Sequence, residues 1–236
     1  MTIPNLPLLD VISLAVFLIC WLGYGRLANR LTRKRPNLVS AVRVYRQRWS
    51  ERMGDRPQHQ ADALITANLL RGTLFFASTT VFILGGLIAF LGTLPRAMEV
   101  AAQLPLNGPV EAWFWETKAL ILACLYVYAF FKFTWSAWQY NVLSIVIGSA
   151  PDTEKDGSAR APFVETTTQI VAQAGESFNN GIRAYYFSIP LIAWFLHPGA
   201  FLTATIVVTY VLYRREFHSP MLRALLSNVE RQDPTP

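Results

Sequence analysis

A nearly uncharged hydrophobic run near the N-terminus is followed at once by a strongly basic segment. Residues 8–27 include only Asp10 near the start and Arg26 at the end as charged side chains. The segment 26–71 then carries eleven Lys/Arg and three Asp/Glu. A run of roughly 20 apolar residues is long enough to cross a bilayer as a helix, and cytoplasmic loops are enriched in positive charge. The pattern therefore predicts an integral membrane protein whose basic loop lies in the cytoplasm.

The composition agrees with this prediction. Of 236 residues, 53% are hydrophobic and 15% are charged, whereas a soluble domain usually has about 25% charged residues. The net charge of +6 is concentrated in the one loop beside a span. This placement favours a partner surface of anionic phospholipids and argues against nucleic acid.

The hydrophobic pattern predicts an all-α transmembrane helix bundle that forms a single membrane domain over residues 1–236. The basic cytoplasmic loop covers residues 28–71, and its last part, 58–71, is helical in pattern and can join the second span without a break. Three clear spans are expected at about 8–27, 72–94 and 113–147.

The charges that follow the second span set the orientation. Segment 95–117 contains Arg96 and the acidic residues Glu99, Glu111 and Glu116, so it is expected outside. The N-terminus is then also outside. The first ten residues contain no Lys or Arg, so the first run is expected to be a permanent span and not a signal peptide.

The hydrophobic region 184–213 has two interpretations. As one helix it would be about 45 Å long, well beyond a single crossing of the bilayer. His197-Pro198-Gly199 lies in its middle, and proline favours the first position of a new helix. We therefore predict a hairpin with arms 178–196 and 198–213 and a cytoplasmic C-terminus. The alternative is one long kinked span.

Residues 38–53 have the spacing of a cytoplasmic amphipathic helix. Its apolar positions recur at steps of three and four, and they are Leu38, Val42, Tyr45, Trp49 and Met53. Such a helix either lies on the membrane surface or packs on the protein's own helix ends.

Small residues recur every seven positions on the second span, at Ser78, Gly85 and Gly92. Small side chains let two helix backbones approach closely. This spacing predicts a helix-packing seam, either within the chain or in an oligomer.

Lys132 lies inside the third span, where a charged side chain is a candidate functional residue. It either lines a water-filled path or extends to the cytoplasmic interface. Other polar residues are expected to converge at the inner membrane boundary, where they would bind a phospholipid headgroup or a small anion, or form an internal network with Glu216, Glu176 or Asp62. These residues are Asn68, Arg71, Gln139, Asn141, Asn179, Asn180, Arg183, Arg214, Arg215 and Glu216.

The sequence offers no motif for catalysis. The three histidines stand too far apart for metal-ligand spacing, no serine lies in a nucleophile-elbow context, and Cys20 and Cys124 lie in separate hydrophobic runs. We expect no enzymatic activity, no metal site and no cofactor.

Several segments resemble a known family when they are taken together. They are Arg-Gly-Thr-Leu-Phe-Phe-Ala-Ser-Thr at 71–79, Lys-Phe-Thr-Trp at 132–135, Gln-Tyr-Asn at 139–141, Arg-Ala-Tyr-Tyr-Phe at 183–187 and Leu-Tyr-Arg-Arg-Glu-Phe at 212–217. The chain, from the first span to about residue 226, resembles the membrane protein family called domain of unknown function five-nine-nine. The resemblance implies a multi-pass bacterial inner-membrane protein without an assigned activity, and it transfers no catalytic residue.

Two functions from different classes remain. The first is a non-enzymatic scaffold or accessory subunit that packs with itself or with another membrane protein. The alternative is a small transporter or channel for an anion or lipid headgroup, which would use Lys132 and the arginines of the inner boundary.

Overall fold

The computed structural model describes residues 8–32, 35–56, 58–102, 111–151 and 157–232. Within these ranges the chain is helical and forms no strand, which confirms the all-α prediction. Residues 33–34 and 57 of the predicted basic loop lie outside the described residues. The elements are α1 (Leu8–Thr32), α2 (Leu38–Gly54), α3 (Gln60–Gly92), α4 (Leu94–Ala102), α5 (Ala112–Gly148), a 3-10 turn (Gly157–Ala159), α6 (Arg160–Ala193), α7 (Pro198–Phe217) and α8 (Pro220–Gln232).

Three of these helices are long and apolar enough to cross a membrane, namely α1 over Leu8–Gly25, α3 and α5. They correspond to the three predicted spans. Helix α3 begins at Gln60, so the helical pattern at 58–71 does continue into the second span. At 1.5 Å per residue α3 is about 50 Å long and α5 about 55 Å, which exceeds the roughly 30 Å of a bilayer core.

The chain turns between α6 and α7, as the hairpin prediction requires. The His197 side chain caps α7 by accepting a hydrogen bond from the Gly199 backbone N–H, and Pro198 occupies the first turn. Arg183 and Glu216 form an ion pair across the hairpin at 2.8 Å, so the two helices run in opposite directions. One continuous kinked helix over 184–213 is therefore excluded.

The first hairpin arm, predicted from residue 178, is the second part of a longer helix. Helix α6 runs without a break from Arg160 to Ala193. The polar sequence before 178 ends the hydrophobic pattern, but its Pro162 lies in the first turn of the helix, where proline is tolerated, so the backbone continues as one helix.

The chain forms two compact units, each assembled from three stretches of sequence. Unit 1 contains the N-terminal segment through Asn37, Phe82–Val127 and Arg183–Ser219. Its centre is aromatic, because the ring of Phe17 lies 5.8 Å from that of Phe187 and 5.3 Å from that of Phe201. The single membrane domain over 1–236 stays a prediction.

Unit 2 contains Leu38–Val81, Tyr128–Ile182 and the chain from Pro220 onward. The amphipathic helix predicted at 38–53 is α2, and its Met53 is fully buried and Trp49 partly buried against residues of α5 and α6. This packing agrees with the interpretation in which the amphipathic helix packs on the protein's own helices and does not lie on the membrane surface. The buried core of the unit consists of Met53, Tyr140, Leu143, Ile147, Phe163, Val171 and Ala174.

Buried threonines recur every seven residues on α3, at Thr66, Thr73 and Thr80. Each hydroxyl donates to the backbone carbonyl four residues earlier, at 2.7 to 2.9 Å. Because the helix satisfies these hydroxyls itself, the face can be buried without an outside polar partner.

Gly181 makes room for an aromatic cluster in unit 2. The ring of Phe133 lies 5.3 Å from that of Phe76 and 5.7 Å from that of Phe178. A β-carbon at position 181 would come within 2.6 Å of the Phe133 ring. We therefore expect G181A to lower the free energy of unfolding by about 1–3 kcal/mol through overpacking.

The matched control for this prediction is G72A, since a β-carbon at Gly72 meets nothing within 4 Å. Alanine favours a helix over glycine by about 1 kcal/mol, so G72A should be neutral or slightly stabilising. Thermal unfolding of both variants in the same detergent compares them, and equal midpoints would contradict the packing argument.

Candidate functional site

The residues predicted to converge belong to both compact units, and each group is described within its own unit. Unit 1 holds Arg183, Arg214, Arg215 and Glu216, while the others lie in unit 2. The structure brings some members of each group into contact and leaves others exposed.

Arg183 and Glu216 form a buried ion pair in unit 1. The Arg183 guanidinium donates to Glu216 Oε1 from Nη2 at 2.8 Å and from Nε at 3.2 Å. The Glu216 side chain is only 3% exposed, and the Arg183 side chain 15%. The same guanidinium lies 5.4 Å from the centre of the Tyr24 ring. Within the described residues, Glu216 Oε2 and the Tyr24 hydroxyl are buried without a hydrogen-bond partner.

The two neighbouring arginines are arranged differently. The Arg215 guanidinium lies 5.1 Å from the centre of the Tyr186 ring, and Arg214 is exposed. The Arg183–Glu216 pair is a contact of the internal network that the sequence analysis gave as the alternative to ligand binding. Glu216 is the next-to-last residue of α7, where hydropathy alone indicates only the end of a span.

In unit 2, Gln139 is buried in a polar contact between α5 and α6. Its amide donates to Gln173 Oε1 at 3.3 Å, and its oxygen accepts from the Ser177 hydroxyl at 3.2 Å. One turn earlier on α5, the Ser136 hydroxyl donates to the Ala174 carbonyl at 2.8 Å. Sequence reasoning missed the α6 partners, because they lie outside the predicted span.

The remaining predicted residues of unit 2 are more accessible. The Lys132 ammonium lies 5.5 Å from the centre of the Tyr128 ring, one turn earlier on α5, and its side chain is half-buried. Arg71, Asn68 and Asn141 are exposed, while Asn179 and Asn180 are half-buried.

A second buried polar cluster, in unit 1, was not predicted. Trp194 Nε1 donates to Asp10 Oδ1 at 2.6 Å, and the Lys118 ammonium donates to the Trp194 carbonyl at 2.9 Å. Lys118 also lies 4.3 Å from the centre of the Phe114 ring. Asp10 and Lys118 are both buried. Asp10 was visible as a lone charge in an apolar run, but nothing local indicates its partner 184 residues away.

Asp62 forms a third cluster at the start of α3, in unit 2. Its fully buried carboxylate accepts from Trp49 Nε1 and from Arg56 Nη1, both at 2.8 Å, and His59 Nδ1 lies 3.5 Å away. Asp62 therefore pairs with Arg56, two residues after the end of α2, and not with an arginine of the predicted set.

The predicted small-residue seam faces outward from the chain. A β-carbon added to Gly85 or Gly92 would meet no atom within 4 Å, and the same holds for Gly86. Ser78 is exposed. The sequence allowed a packing partner either within the chain or in an oligomer. The described part of this chain supplies no partner at these glycines.

Substitutions at Arg183 and Glu216 test how much their ion pair contributes to the free energy of unfolding. R183M leaves a buried carboxylate without its cation, and we expect it to lower the free energy of unfolding by roughly 2–4 kcal/mol, because breaking a buried pair strands one charge. The double variant R183M/E216L removes both charges and should recover part of this loss. R214Q changes an exposed neighbour and should stay within about 0.5 kcal/mol of the parent.

Thermal unfolding in mild detergent measures all three variants. If R183M and R214Q had equal midpoints, the pair would have no special structural role.

Comparison with known proteins gives one match. No curated protein matches the chain, and no solved structure does. A family model with the description "Protein of unknown function, DUF599" matches residues 12–221. That range extends from α1 into α8 and includes both arms of the hairpin, the Arg183–Glu216 pair and the glycines of α3. The chain therefore belongs to the family described as protein of unknown function, DUF599.

Proposed function

We propose that this protein is a multi-pass protein of a bacterial inner membrane that acts without catalysis, as a scaffold or accessory subunit. It associates with a second copy of itself or with another membrane protein through the outward face of α3. Its N-terminus lies outside the cell membrane, and its basic loop and C-terminus lie in the cytoplasm. The observation that carries the proposal is the open glycine face of α3.

The register of α3 places its small residues along one line. Ser78, Gly85 and Gly92 are spaced by seven residues, and Ala89 follows Gly85 by four. Residues at such spacings share one face of a helix. Two large side chains flank this line, Phe82 with 79% and Ile88 with 72% exposure. The face is thus a shallow groove with apolar ridges on both sides.

A partner helix explains this groove better than lipid alone. Glycine in a helix interior costs about 1 kcal/mol relative to alanine, and a β-carbon added at position 85, 86 or 92 would meet no atom of the described residues within 4 Å. In a membrane, small residues are favoured where two helix backbones approach closely and gain dispersion contacts. The cost is therefore offset once another helix occupies the groove.

The transporter alternative has weaker support. It requires cations that are available to a passing anion, whereas Arg183 is paired with Glu216 and Arg215 lies over an aromatic ring. Lys132 is likewise directed at its helical neighbour Tyr128. The buried charges of unit 1 are therefore better explained as structural contacts than as a conduction path.

Filling the groove tests the scaffold proposal. G85L places a bulky side chain where the partner backbone would approach, because small residues are what allow two helices to pack closely. We expect association to weaken by about tenfold, which corresponds to about 1.4 kcal/mol. The matched control is G72L on the same helix, about 140° away from Gly85 around the helix axis. Native mass spectrometry in mild detergent measures the oligomer directly.

A photo-crosslinking residue in place of Phe82, introduced in cells, identifies the partner as a second copy or as another protein. Wild-type protein that is strictly monomeric and gives no discrete crosslinked product would overturn the proposal. An unchanged product in the G85L background would do the same.

The orientation has its own test. Single cysteines in place of Arg43 and of Glu99, in a variant with Cys20 and Cys124 replaced by alanine, should label from opposite sides. In intact cells an impermeant maleimide should reach position 99 and not position 43, because the basic loop faces the cytoplasm. Labelling of position 43 in intact cells would refute the topology.

A further inference from the structure

Arg46 of α2 lies in an unusual position on α6. Its guanidinium sits flat against the backbone of Gly175, because a β-carbon added there would overlap both terminal nitrogens and the central carbon of the arginine. The Arg46 side chain is half-buried. Glycine at position 175 is therefore what allows the cation to reach the surface of α6, and all of these residues belong to unit 2.

No carboxylate neutralises this cation among the residues that the structure describes. Arg56, Arg160 and Arg183 each have an acidic partner within 2.8 Å. The ionisable groups that act on Arg46 are Tyr140 and Arg43, and neither carries a negative charge at neutral pH. Burial lowers the pKa of Arg46, and nearby Arg43 lowers it further, while Tyr140 opposes this change.

The hydrogen-bonding capacity of Arg46 is also unused within the described part of the chain. A guanidinium carries five N–H donors in one plane. In this structure they donate no hydrogen bond to a described residue, although Gly175 covers one face of the plane. A half-buried cation without a partner is costly, so water or an anion has to satisfy its edges.

The surroundings favour a phosphate group as this anion. The guanidinium fork matches the oxygens of phosphate in a bidentate arrangement. Helix α2 also carries Arg43, Arg48 and Arg52 with Glu51 as its one acidic residue. Asn179 lies one turn after Gly175 on the same face of α6 and is half-buried.

The position of α2 in the chain is compatible with two sources of phosphate, a phospholipid headgroup and a soluble compound. Short connections join α2 to α1 and α3, two helices long and apolar enough to cross a membrane. Helix α2 therefore lies in the chain between two such helices, and phospholipid headgroups are one source of phosphate for it. A soluble phosphate compound has the same recognition chemistry.

We propose that Arg46, seated on Gly175, binds a phosphate oxyanion, as a phospholipid headgroup or as a soluble phosphate. This site is separate from the α3 groove, and it does not depend on the scaffold proposal.

The test uses the full-length protein in mild detergent with two probes. Native mass spectrometry measures retention of short-chain phosphatidylglycerol against phosphatidylcholine, and thermal unfolding measures stabilisation by inorganic phosphate. R46Q should weaken binding of the effective probe by about tenfold, as expected for the loss of a charge-assisted hydrogen bond. R43Q, with the same change in net charge on the same helix, should change it by less than about twofold.

A second variant separates a built site from general charge attraction. G175A keeps every charge but displaces the guanidinium, so it should also weaken binding several-fold, and R46K should fall between the parent and R46Q because it lacks the fork. These two variants keep the test decisive if R46Q does not fold. Preference for phosphatidylglycerol identifies a lipid, and stabilisation by inorganic phosphate alone identifies a soluble ligand.

Three results would overturn the proposal: wild-type protein that binds neither probe, equal loss in R43Q and R46Q, or unchanged binding in both G175A and R46Q. G85L should leave phosphate binding intact, so failure of the scaffold proposal remains distinguishable from failure of this one.

Discussion

The contact of Asp10 and Lys118 with Trp194 is the interaction on which the arrangement of unit 1 depends. The indole of Trp194 donates to the Asp10 carboxylate, and the Trp194 carbonyl accepts from the Lys118 ammonium. Trp194 belongs to the turn between α6 and α7, while its partners lie on α1 and α5. A charge in an apolar helix has to be satisfied by another part of the protein, so these two charges hold the turn against both helices. Backbone geometry at His197 and Pro198 then sets where α7 begins.

Hydropathy predicted most of the helices because the signal is local. The runs at 8–27, 72–94 and 113–147 each contain enough apolar residues to define a span, and His197-Pro198-Gly199 carries both a cap and a helix start. Helix α2 was recognisable from its three- and four-residue spacing. The continuity of α6 from Arg160 to Ala193 was not, because the hydropathy changes near residue 178 and the packing of its polar first half against α2 and α5 leaves no local pattern. The Asp10–Trp194–Lys118 cluster was missed for the same reason.

The glycines illustrate why the candidate sites were harder to predict than the fold. Gly85 faces open space, Gly175 carries the Arg46 guanidinium, and Gly181 accommodates the Phe133 ring. All three lie inside long helices, and nothing near them in sequence distinguishes their roles. The missing β-carbon has a different use in each case. A side chain of α2 occupies the space at Gly175, a side chain of α5 occupies it at Gly181, and the space at Gly85 is open among the described residues. The tertiary structure therefore identifies occupants at Gly175 and Gly181 that the local sequence does not indicate.

The arginines also differ in what surrounds them: within the described residues, some pair with a carboxylate of the chain, and others do not. The chain has 21 Lys/Arg against 15 Asp/Glu, so pairing within the chain cannot neutralise every cation. Two of the most buried carboxylates, Asp62 and Glu216, are taken by Arg56 and Arg183. The surplus cations must face water or anions from outside the chain, and most can do so at the surface at little cost. Arg46 differs because its guanidinium lies against the backbone of α6 and is partly withdrawn from water. A partner for it therefore has to come from outside the described chain, and the proposed phosphate oxyanion is a partner of the required charge and shape.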